Sequence, residues 1–370
     1  MADAASEPPR SASPSADPLA DPNRAVVWYD DHPIIAPALS APGRLERFRH
    51  DNAGMEFDAQ YIGDARVSLQ KLAVGLAADD LPDIAVMHRG VAGALAHGGR
   101  LADIGAILPD RILNDLRPNA RETGMYQGKL IALPADGFCT VLFYNKSMMP
   151  DGPPRDWETW RAAAQRLHRP DTDFYPVGHI PWLELAWSAG TQVVDDAATD
   201  LDGPDALRAL AFLLAMRDDG LAHPRAVNSE DWGLSLLLTK RAAMTVGSSR
   251  ALPRIAASGL PIGLAPIPGE HGPISALSDR VLVVFAHRAS ARRDPIIRVL
   301  DYLTGPLTMG PEAEQNGSAP LRKSVEHNDE GLNAAFEAAQ AKPLHPAWNA
   351  VEAELYRRLD QAFRWQEETP

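Results

Sequence analysis

The sequence has a single cysteine, Cys139, among 370 residues. One cysteine cannot form an internal disulfide or supply a zinc site built from several cysteines. The 11 histidines are not spaced as metal ligands either, so neither a metal nor a cofactor is expected. Because exported bacterial proteins often lack disulfides, the cysteine count leaves the redox compartment undetermined.

Long apolar runs are also missing. No stretch approaches the roughly 18–20 apolar residues that span a bilayer, and the first apolar run, residues 25–29, is too short for the core of an export signal. Basic residues are scarce: 36 Lys and Arg stand against 49 Asp and Glu, which gives a net charge of -13. This charge repels phosphate backbones, so nucleic acid is not an expected partner.

Familiar catalytic motifs are absent as well, including the nucleophile elbow, the His-Glu-x-x-His zinc motif and the dinucleotide fingerprint. Residues 124–129 resemble a phosphate loop, but the spacing is wrong and Leu130 stands where Ser or Thr must hold magnesium. Asp195 and Asp196 offer two carboxylates for glycoside hydrolysis, yet adjacent acids on a polar stretch are more often solvent-facing. These observations favour a binding protein, with a carbohydrate-active enzyme as the weaker alternative.

What is present is the composition of a soluble globular protein, with 45% hydrophobic and 23% charged residues. A chain of this length suits two lobes better than one core. Residues 1–24 are rich in Pro, Ala, Ser and Asp, so we predict a disordered leader or tether there. The sequence leaves open whether this tether is native or follows a removed export signal. If an export signal has been removed, we expect a periplasmic or otherwise extracytoplasmic location. No signal is visible in the chain itself.

From residue 25 onward, short β-like runs alternate with helical periods, which is typical of α/β lobes. The apolar run at 83–87 predicts a buried strand. Asp156 is a good N-cap for a helix that carries Trp160 and Leu167 on its apolar side. Strand and helix signals continue in this way to the last helix, which we expect to begin near Trp348.

Proline and glycine clusters predict where the chain crosses between lobes. Three such crossings make each lobe discontinuous and leave a hinged ligand cleft between them. The crossings are expected near residues 134–137, 266–273 and 305–306. The N-terminal lobe then comprises residues 25–134 plus 266–306, and the C-terminal lobe residues 135–265 plus 307–370.

Six short segments, in order along the chain, resemble the extracellular solute-binding proteins of sugar-type ABC transporters, the family that includes maltose-binding protein. Each segment is short, and their common order is what makes the resemblance specific. They are residues 81–84 (LPDI), 128–134 (GKLIALP), 143–146 (FYNK), 156–160 (DWETW), 242–247 (AAMTVG) and 319–324 (APLRKS).

The resemblance implies an α/β protein with the type II periplasmic-binding-protein fold. It further implies a monomeric, non-catalytic carrier that closes over a small carbohydrate and delivers it to ABC permease subunits. Two alternatives stay open: a ligand-sensing receptor with the same fold, and a binder of an acidic sugar, a phosphate ester or a polyamine.

Carried over by position, the ligand-facing places fall on loops that follow strands. Arg250 and the Asp279-Arg280 pair depart from the family pattern, so maltose itself is not the expected ligand. The candidate ligand-binding residues are Asp30, Asp31, His32, His88, Arg89, Asp136, Phe138, Trp182, Trp187, Ser248, Arg250, Asp279, Arg322 and Trp348.

A sugar presents hydroxyl groups that both donate and accept, together with an apolar face of C–H groups. Its site therefore needs carboxylates, amides or Arg for the hydroxyls and flat aromatic rings for the C–H face. Trp348 is the favoured stacking residue, because it also stands where a loop meets a helix. Arg250 together with Arg322 would instead suit an anionic ligand, since guanidinium groups match carboxylate and phosphate.

Overall fold

The computed structural model describes residues 21–192, 199–224 and 230–364. The predicted tether up to residue 20, and Asp195 and Asp196, lie outside the described residues. The described strands are β1 (Arg24–Tyr29), β2 (Glu56–Tyr61), β3 (Ile84–His88), β4 (Met125–Tyr126), β5 (Lys129–Leu130), β6 (Ala132–Pro134), β7 (Thr140–Asn145), β8 (Tyr175–Val177), β9 (Ala242–Ser248), β10 (Ile262–Ala265), β11 (Ser275–Ala276), β12 (Arg280–Val284) and β13 (Ala339–Gln340).

Helices alternate with these strands along most of the chain, and a short 3-10 helix at Ser249–Ala251 follows β9. The helices are α1 (Ile35–Ser40), α2 (Pro42–Asp51), α3 (Ala65–Ala78), α4 (Arg89–His97), α5 (Ile104–Ile107), α6 (Asp110–Leu113), α7 (Pro118–Glu122), α8 (Trp157–Leu167), α9 (Trp182–Ser188), α10 (Pro204–Asp218), α11 (Glu230–Leu238), α12 (Leu252–Ala257), α13 (Ala286–Ala289), α14 (Arg293–Thr304), α15 (Pro306–Met309), α16 (Pro311–Gln315), α17 (Glu330–Glu337) and α18 (Trp348–Arg364).

The first sheet has the strand order β2-β1-β3-β12-β6. Strand β1 is parallel to both β2 and β3, whereas β12 is antiparallel to both β3 and β6. Strand β12 is separated from the other four by more than a hundred residues of sequence, so the chain has to return to this sheet after an excursion.

Strand β1 is apolar along nearly its whole length because both faces of the first sheet are covered. Ala25 and Val27 contribute to one core, while Val26 and Trp28 contribute to the core on the opposite face. This division follows from the two-residue period of a strand. A strand that is buried on both faces has no room for alternating polar residues.

The second sheet has the order β10-β7-β9-β8. Strand β7 is antiparallel to β10 and β9, and β8 runs parallel to β9. Helix α8 begins as the sequence predicts: the Thr159 N–H donates to Asp156 Oδ1 at 2.8 Å, and the Thr159 side chain reaches back to complete a capping box.

The chain passes between the sheets in the segments that separate β6 from β7 and β10 from β12. These two segments lie side by side. Cys139 forms an isolated antiparallel bridge with Leu277, and the Ser278 N–H donates to the Phe138 carbonyl at 2.9 Å. After β12 the chain continues into α14, which packs on β1, and later into α17, which packs on β10 and β7 of the second sheet.

Helix α18 contacts elements of both halves. Trp348, its first residue, is buried in the core of the second sheet. The helix also contacts α4, and a Cβ placed on Gly93 of α4 would lie 2.8 Å from the backbone nitrogen of His345. Glycine at this position therefore permits the close approach of the two segments.

Candidate functional site

A cleft of about 270 Å³ opens where the two crossing segments run side by side. Its walls come from the crossings, from loops and helix starts around the second sheet, and from the C-terminal segment. The lining residues are Phe138, Cys139, Thr140, His179, Pro181, Trp182, Leu183, Glu184, Glu230, Ser248, Arg250, Ala276, Leu277, Ser278, Asp279, Lys342 and Tyr356.

Phe138 and Arg250 place an aromatic ring and a cation next to each other in the cleft. The guanidinium carbon of Arg250 lies 5.5 Å from the centroid of the Phe138 ring, within the range of a cation–π contact. Arg250 is exposed, whereas Phe138 is buried among core residues. Arg250 therefore brings an exposed guanidinium group to the cleft beside the Phe138 ring.

Lys342 is held between two carboxylates. Its Nζ lies 2.7 Å from Asp279 Oδ2 and 2.6 Å from Glu352 Oε1. Burial lowers the pKa of Lys342, but the charges of Asp279 and Glu352 outweigh that effect, so the pKa is raised and the ammonium is retained. Asp279 belongs to the second crossing and Glu352 to α18, so this triad ties the crossing to the last helix.

Glu184 and Tyr356 bring two perturbed groups to the same wall. Burial raises the pKa of the Glu184 carboxyl, and only its backbone hydrogen bond, the charge of Lys342 and a hydrogen bond with Thr140 oppose that rise. Burial, followed by the negative charge of Glu184, raises the pKa of Tyr356 to about 12. The phenol is therefore neutral at physiological pH and can donate a hydrogen bond.

The arrangement contains the groups that a polar guest needs and lacks a metal centre. No cluster of His, Cys, Asp and Glu suited to a metal ion occurs within the ranges 21–192, 199–224 and 230–364. Over the same ranges, no helix combines the length and apolarity needed to cross a bilayer.

Comparison with known proteins now places the chain. The profile of the family described as bacterial extracellular solute-binding protein matches residues 44–343, which is most of the sequence. The chain belongs to this family. The prediction of a solute-binding protein and not an enzyme is thereby confirmed, and the family implies a location outside the cytoplasm.

Individual relatives of this solute-binding protein are distant. The maltotriose-binding protein of Pyrococcus abyssi is 22% identical over 255 residues, which are 66% of this chain and 53% of that protein. The chain thus spans about half the length of the curated relative that it matches.

Solved structures are similar over much more of the chain. The cyclic alpha-maltosyl-1,6-maltose binding protein from Arthrobacter globiformis has a TM-score of 0.78 and 20% identity, over 92% of this chain and 93% of that one. The sugar-binding protein MalE from the phytopathogen Xanthomonas citri has a TM-score of 0.76 and 19% identity, over 94% and 100%. These likenesses confirm the predicted type II binding-protein fold.

Five of the fourteen candidate residues of this solute-binding protein line the cleft. They come from the two crossings and from the loops around the second sheet, where the sequence predicts ligand contacts. They are Phe138, Trp182, Ser248, Arg250 and Asp279.

His32 and Asp136 lie instead in a closed, buried network beside the first crossing. The N–H groups of Ile34 and Ile35 donate to His32 Nδ1 at 3.3 and 3.1 Å. The ring proton is therefore on Nε2, which donates to Asp136 Oδ2 at 2.5 Å. The second oxygen of Asp136 accepts the Phe138 N–H at 2.8 Å, so this pair is satisfied without a ligand.

Three further candidates, Asp30, Asp31 and His88, lie at the ends of strands of the first sheet. Asp30 is buried and paired with Arg280, while Asp31 beside it is exposed. His88 is opposite Arg280 in the β3–β12 register. Burial, and then the positive charge of Arg280, lowers the pKa of His88, which keeps its ring neutral at physiological pH.

Arg89 and Arg322 are buried away from the cleft. A nitrogen of Arg89 donates to the Thr123 carbonyl, and burial lowers the pKa of Arg89 to about 10. Arg322 donates to Asp301 Oδ1 and to Thr304 Oγ1, both at 2.6 Å. The donors of Arg322 are all taken up by Asp301 and Thr304, whereas Arg89 Nε and its second terminal nitrogen are buried without a hydrogen-bond partner among the described residues.

Trp187 and Trp348 are buried in the core of the second sheet and do not line the cleft. The aromatic ring that α18 contributes there is that of Tyr356, which is 41% exposed. Trp348, Glu352 and Tyr356 are spaced by four residues and so follow one side of the helix. This spacing is the sequence signal that could have identified Tyr356 and the partner of Lys342.

Glu184, Glu230 and Lys342 are also absent from the sequence-based list. Glu184 lies inside an otherwise apolar segment, Pro181 to Trp187, so a carboxylate there is a local anomaly. Glu230 accepts the backbone N–H of Ser248, a contact between residues eighteen positions apart that no local pattern indicates.

Proposed function

We propose that this protein is the substrate-binding component of an ABC uptake transporter and that it binds a carbohydrate by closure of its two lobes over the cleft. The observation that carries the proposal is the lining itself. Carboxylates, several hydroxyls, an ammonium and a guanidinium converge with the Phe138 and Tyr356 rings on one cleft at the crossing segments, which is the combination that a polyhydroxylated ligand requires.

The position of the cleft supports the proposed closure of the two lobes. Its walls include residues from both crossing segments, about which the lobes would rotate. A ligand that contacts both lobes only in the closed form shifts the population toward that form by its differential affinity. For a micromolar ligand, the free energy available for binding and closure is about 8 kcal/mol.

The lobes of this proposal are residues 25–134 plus 266–306 and residues 135–265 plus 307–370. The sheet memberships support the first two boundaries, because strands up to β6 and strand β12 form one sheet while β7–β10 form the other. The third boundary has less support from packing, since α15 contacts α14 and lies beyond residue 305.

The charge of the cleft favours a neutral or cationic ligand over an acidic sugar or a phosphate ester. An anionic ligand would have to approach Glu184, Glu230 and Asp279, with a cost that rises as water is excluded. Arg322, the second arginine needed for anion binding, is engaged by Asp301 and Thr304. Arg250 and Lys342 together leave one of the three lining carboxylates without a balancing charge.

The proposal also covers the location, the oligomeric state and the partners of the protein. The protein would act in the periplasm or an equivalent compartment as a monomer, and it would deliver its ligand to the permease subunits of the transporter. The net charge of -13 leaves nucleic acid outside the expected partners.

The test is titration calorimetry with a panel of neutral mono- and oligosaccharides, repeated with Tyr356→Ala. Loss of the stacking ring is expected to weaken the bound sugar about tenfold. Tyr61→Ala is the matched control, since Tyr61 is also exposed but does not line the cleft. If no sugar in the panel binds, or if a sugar is turned over to product, the proposal fails.

A further inference from the structure

Glu184 is the most deeply buried acid in the cleft. It lies on α9 and is 6% exposed, yet it belongs to the cleft lining. The other two lining carboxylates have partners of their own: Glu230 accepts the Ser248 N–H, and Asp279 pairs with Lys342. The surroundings of Glu184 therefore differ from those of Glu230 and Asp279.

The cations of the cleft are already engaged. Lys342 is bound by Asp279 and Glu352, and Arg250 lies over the Phe138 ring. Within the described ranges, no Lys, Arg or His forms an ion pair with Glu184, although the more distant charge of Lys342 acts on it. The protein thus brings a carboxylate to the cleft without a paired cation.

Thr140 lines the cleft together with this carboxylate. The Ala276 N–H donates to Thr140 Oγ1 at 2.8 Å, so that oxygen already serves as an acceptor. Its own proton is then free to be donated, and Thr140 acts to lower the pKa of Glu184 against the effect of burial. Since Thr140 begins β7 directly after the first crossing and Ala276 belongs to the second, Glu184 lines the part of the cleft about which the lobes would close.

A buried carboxylate without a cation is costly, and a partner that supplies positive charge relieves most of that cost. A hydroxyl of a neutral sugar can donate one hydrogen bond, whereas an ammonium supplies both the bond and the charge. Hydrogen bonds between charged groups contribute more than those between neutral groups.

We propose that the carbohydrate bound in this cleft carries a protonated amine and that Glu184 is the specificity-determining residue that accepts from it. The ligand class is thereby an amino sugar. This inference rests on the proposed carbohydrate-binding function and deepens it.

The experiment measures the Kd, by calorimetry at pH 7, of glucose, galactose, mannose and cellobiose, of their 2-amino counterparts, and of their N-acetylated counterparts. At least one amino member is expected to bind about tenfold tighter than both its neutral and its N-acetylated counterpart. Glu184→Gln is expected to remove that advantage, so that the amino sugar binds no tighter than its neutral counterpart to the variant.

Glu230→Gln is the matched control, because it removes a carboxylate from the same lining that the Ser248 N–H already engages. It should preserve the preference for the amine. Thermal unfolding of each variant establishes that it is folded before titration.

Three results overturn the inference. If neutral sugars bind as tightly as every amino counterpart, the carbohydrate function stands and the amino-sugar assignment falls. If Glu230→Gln removes the preference and Glu184→Gln does not, the assignment to Glu184 is wrong. If no member of any series binds, the carbohydrate function and the inference fail together.

Discussion

Two buried carboxylates lie close to the crossings and have opposite surroundings. Asp136 is engaged by the His32 ring on one oxygen and by the Phe138 N–H on the other. Glu184, on the cleft wall, has no paired cation among the described residues. The difference supports a structural role for Asp136 and the proposed ligand-binding role for Glu184, because buried polar groups that serve the fold alone are normally hydrogen-bonded within it.

The largest expected effect is a loss of stability on substitution of Asp136, the carboxylate that is engaged within the fold. Asp136→Ala leaves the buried His32 N–H without an acceptor and frees the Phe138 N–H, so it should lower the free energy of unfolding by about 3–5 kcal/mol. Urea titration followed by circular dichroism measures it. Asp31→Ala is the control, since Asp31 is exposed and should change stability by less than about 0.5 kcal/mol. Equal effects of the two substitutions would break the comparison.

Two arginines extend the same contrast. Arg322→Ala removes charged hydrogen bonds to Asp301 and Thr304 and should cost about 2–3 kcal/mol of stability. Arg250→Ala should leave the free energy of unfolding nearly unchanged, because Arg250 is exposed above Phe138. Urea titration gives the first quantity, and ligand titration should show weaker binding for the Arg250 variant alone. A reversed outcome would place Arg322 in the binding site.

Glu184→Gln should have a smaller effect and the opposite sign, with a stabilisation of about 1 kcal/mol near pH 7. Burial raises the pKa of Glu184 in the folded state above its ordinary value of 4.5. The folded protein therefore binds the proton more tightly than the unfolded chain, and this carboxyl costs stability increasingly as the pH rises above about 4.5.

The measurement is the difference in Tm between Glu184→Gln and the wild type from pH 4 to pH 7. That difference should grow with pH and level off once Glu184 is ionised in the folded state. A variant that is less stable than the wild type at pH 7 would make Glu184 a structural residue like Asp136.

The smallest expected effect is an absence of reaction at Cys139, which lies between Phe138 and Thr140 on the first crossing. Burial raises the pKa of this thiol to about 12, and only the thiolate is an effective nucleophile. Iodoacetamide at pH 8 should therefore not modify the folded protein within hours, whereas the urea-unfolded chain should react in minutes. Mass spectrometry distinguishes the two, and rapid labelling of the folded form would show that the crossing opens to solvent.

Much of the fold was predictable because its signals are local. The run at 83–87 predicts a buried strand, and β3 occupies it; Asp156 predicts a helix start, and its side chain caps α8. The site was predictable in part, where contacts lie at the ends of strands or on the crossings, as with Ser248 at the end of β9 and Arg250 just after it. His32 and Asp136 carry the same polar chemistry but are turned toward each other across 104 positions of sequence, which no local pattern reports.

The sequence by itself determined the alternation of strands and helices, the crossings rich in proline and glycine, and the membership in a family of solute-binding proteins. Only the tertiary structure decided which polar side chains face the cleft. Glu184, Asp279, Lys342 and Tyr356 come from separate parts of the chain, and whether each is satisfied by a neighbour or left for a ligand depends on distances set by the packing of both sheets. Hydrogen bonds and ion pairs act over a few ångströms, so their partners are fixed by the folded geometry and not by neighbours in sequence.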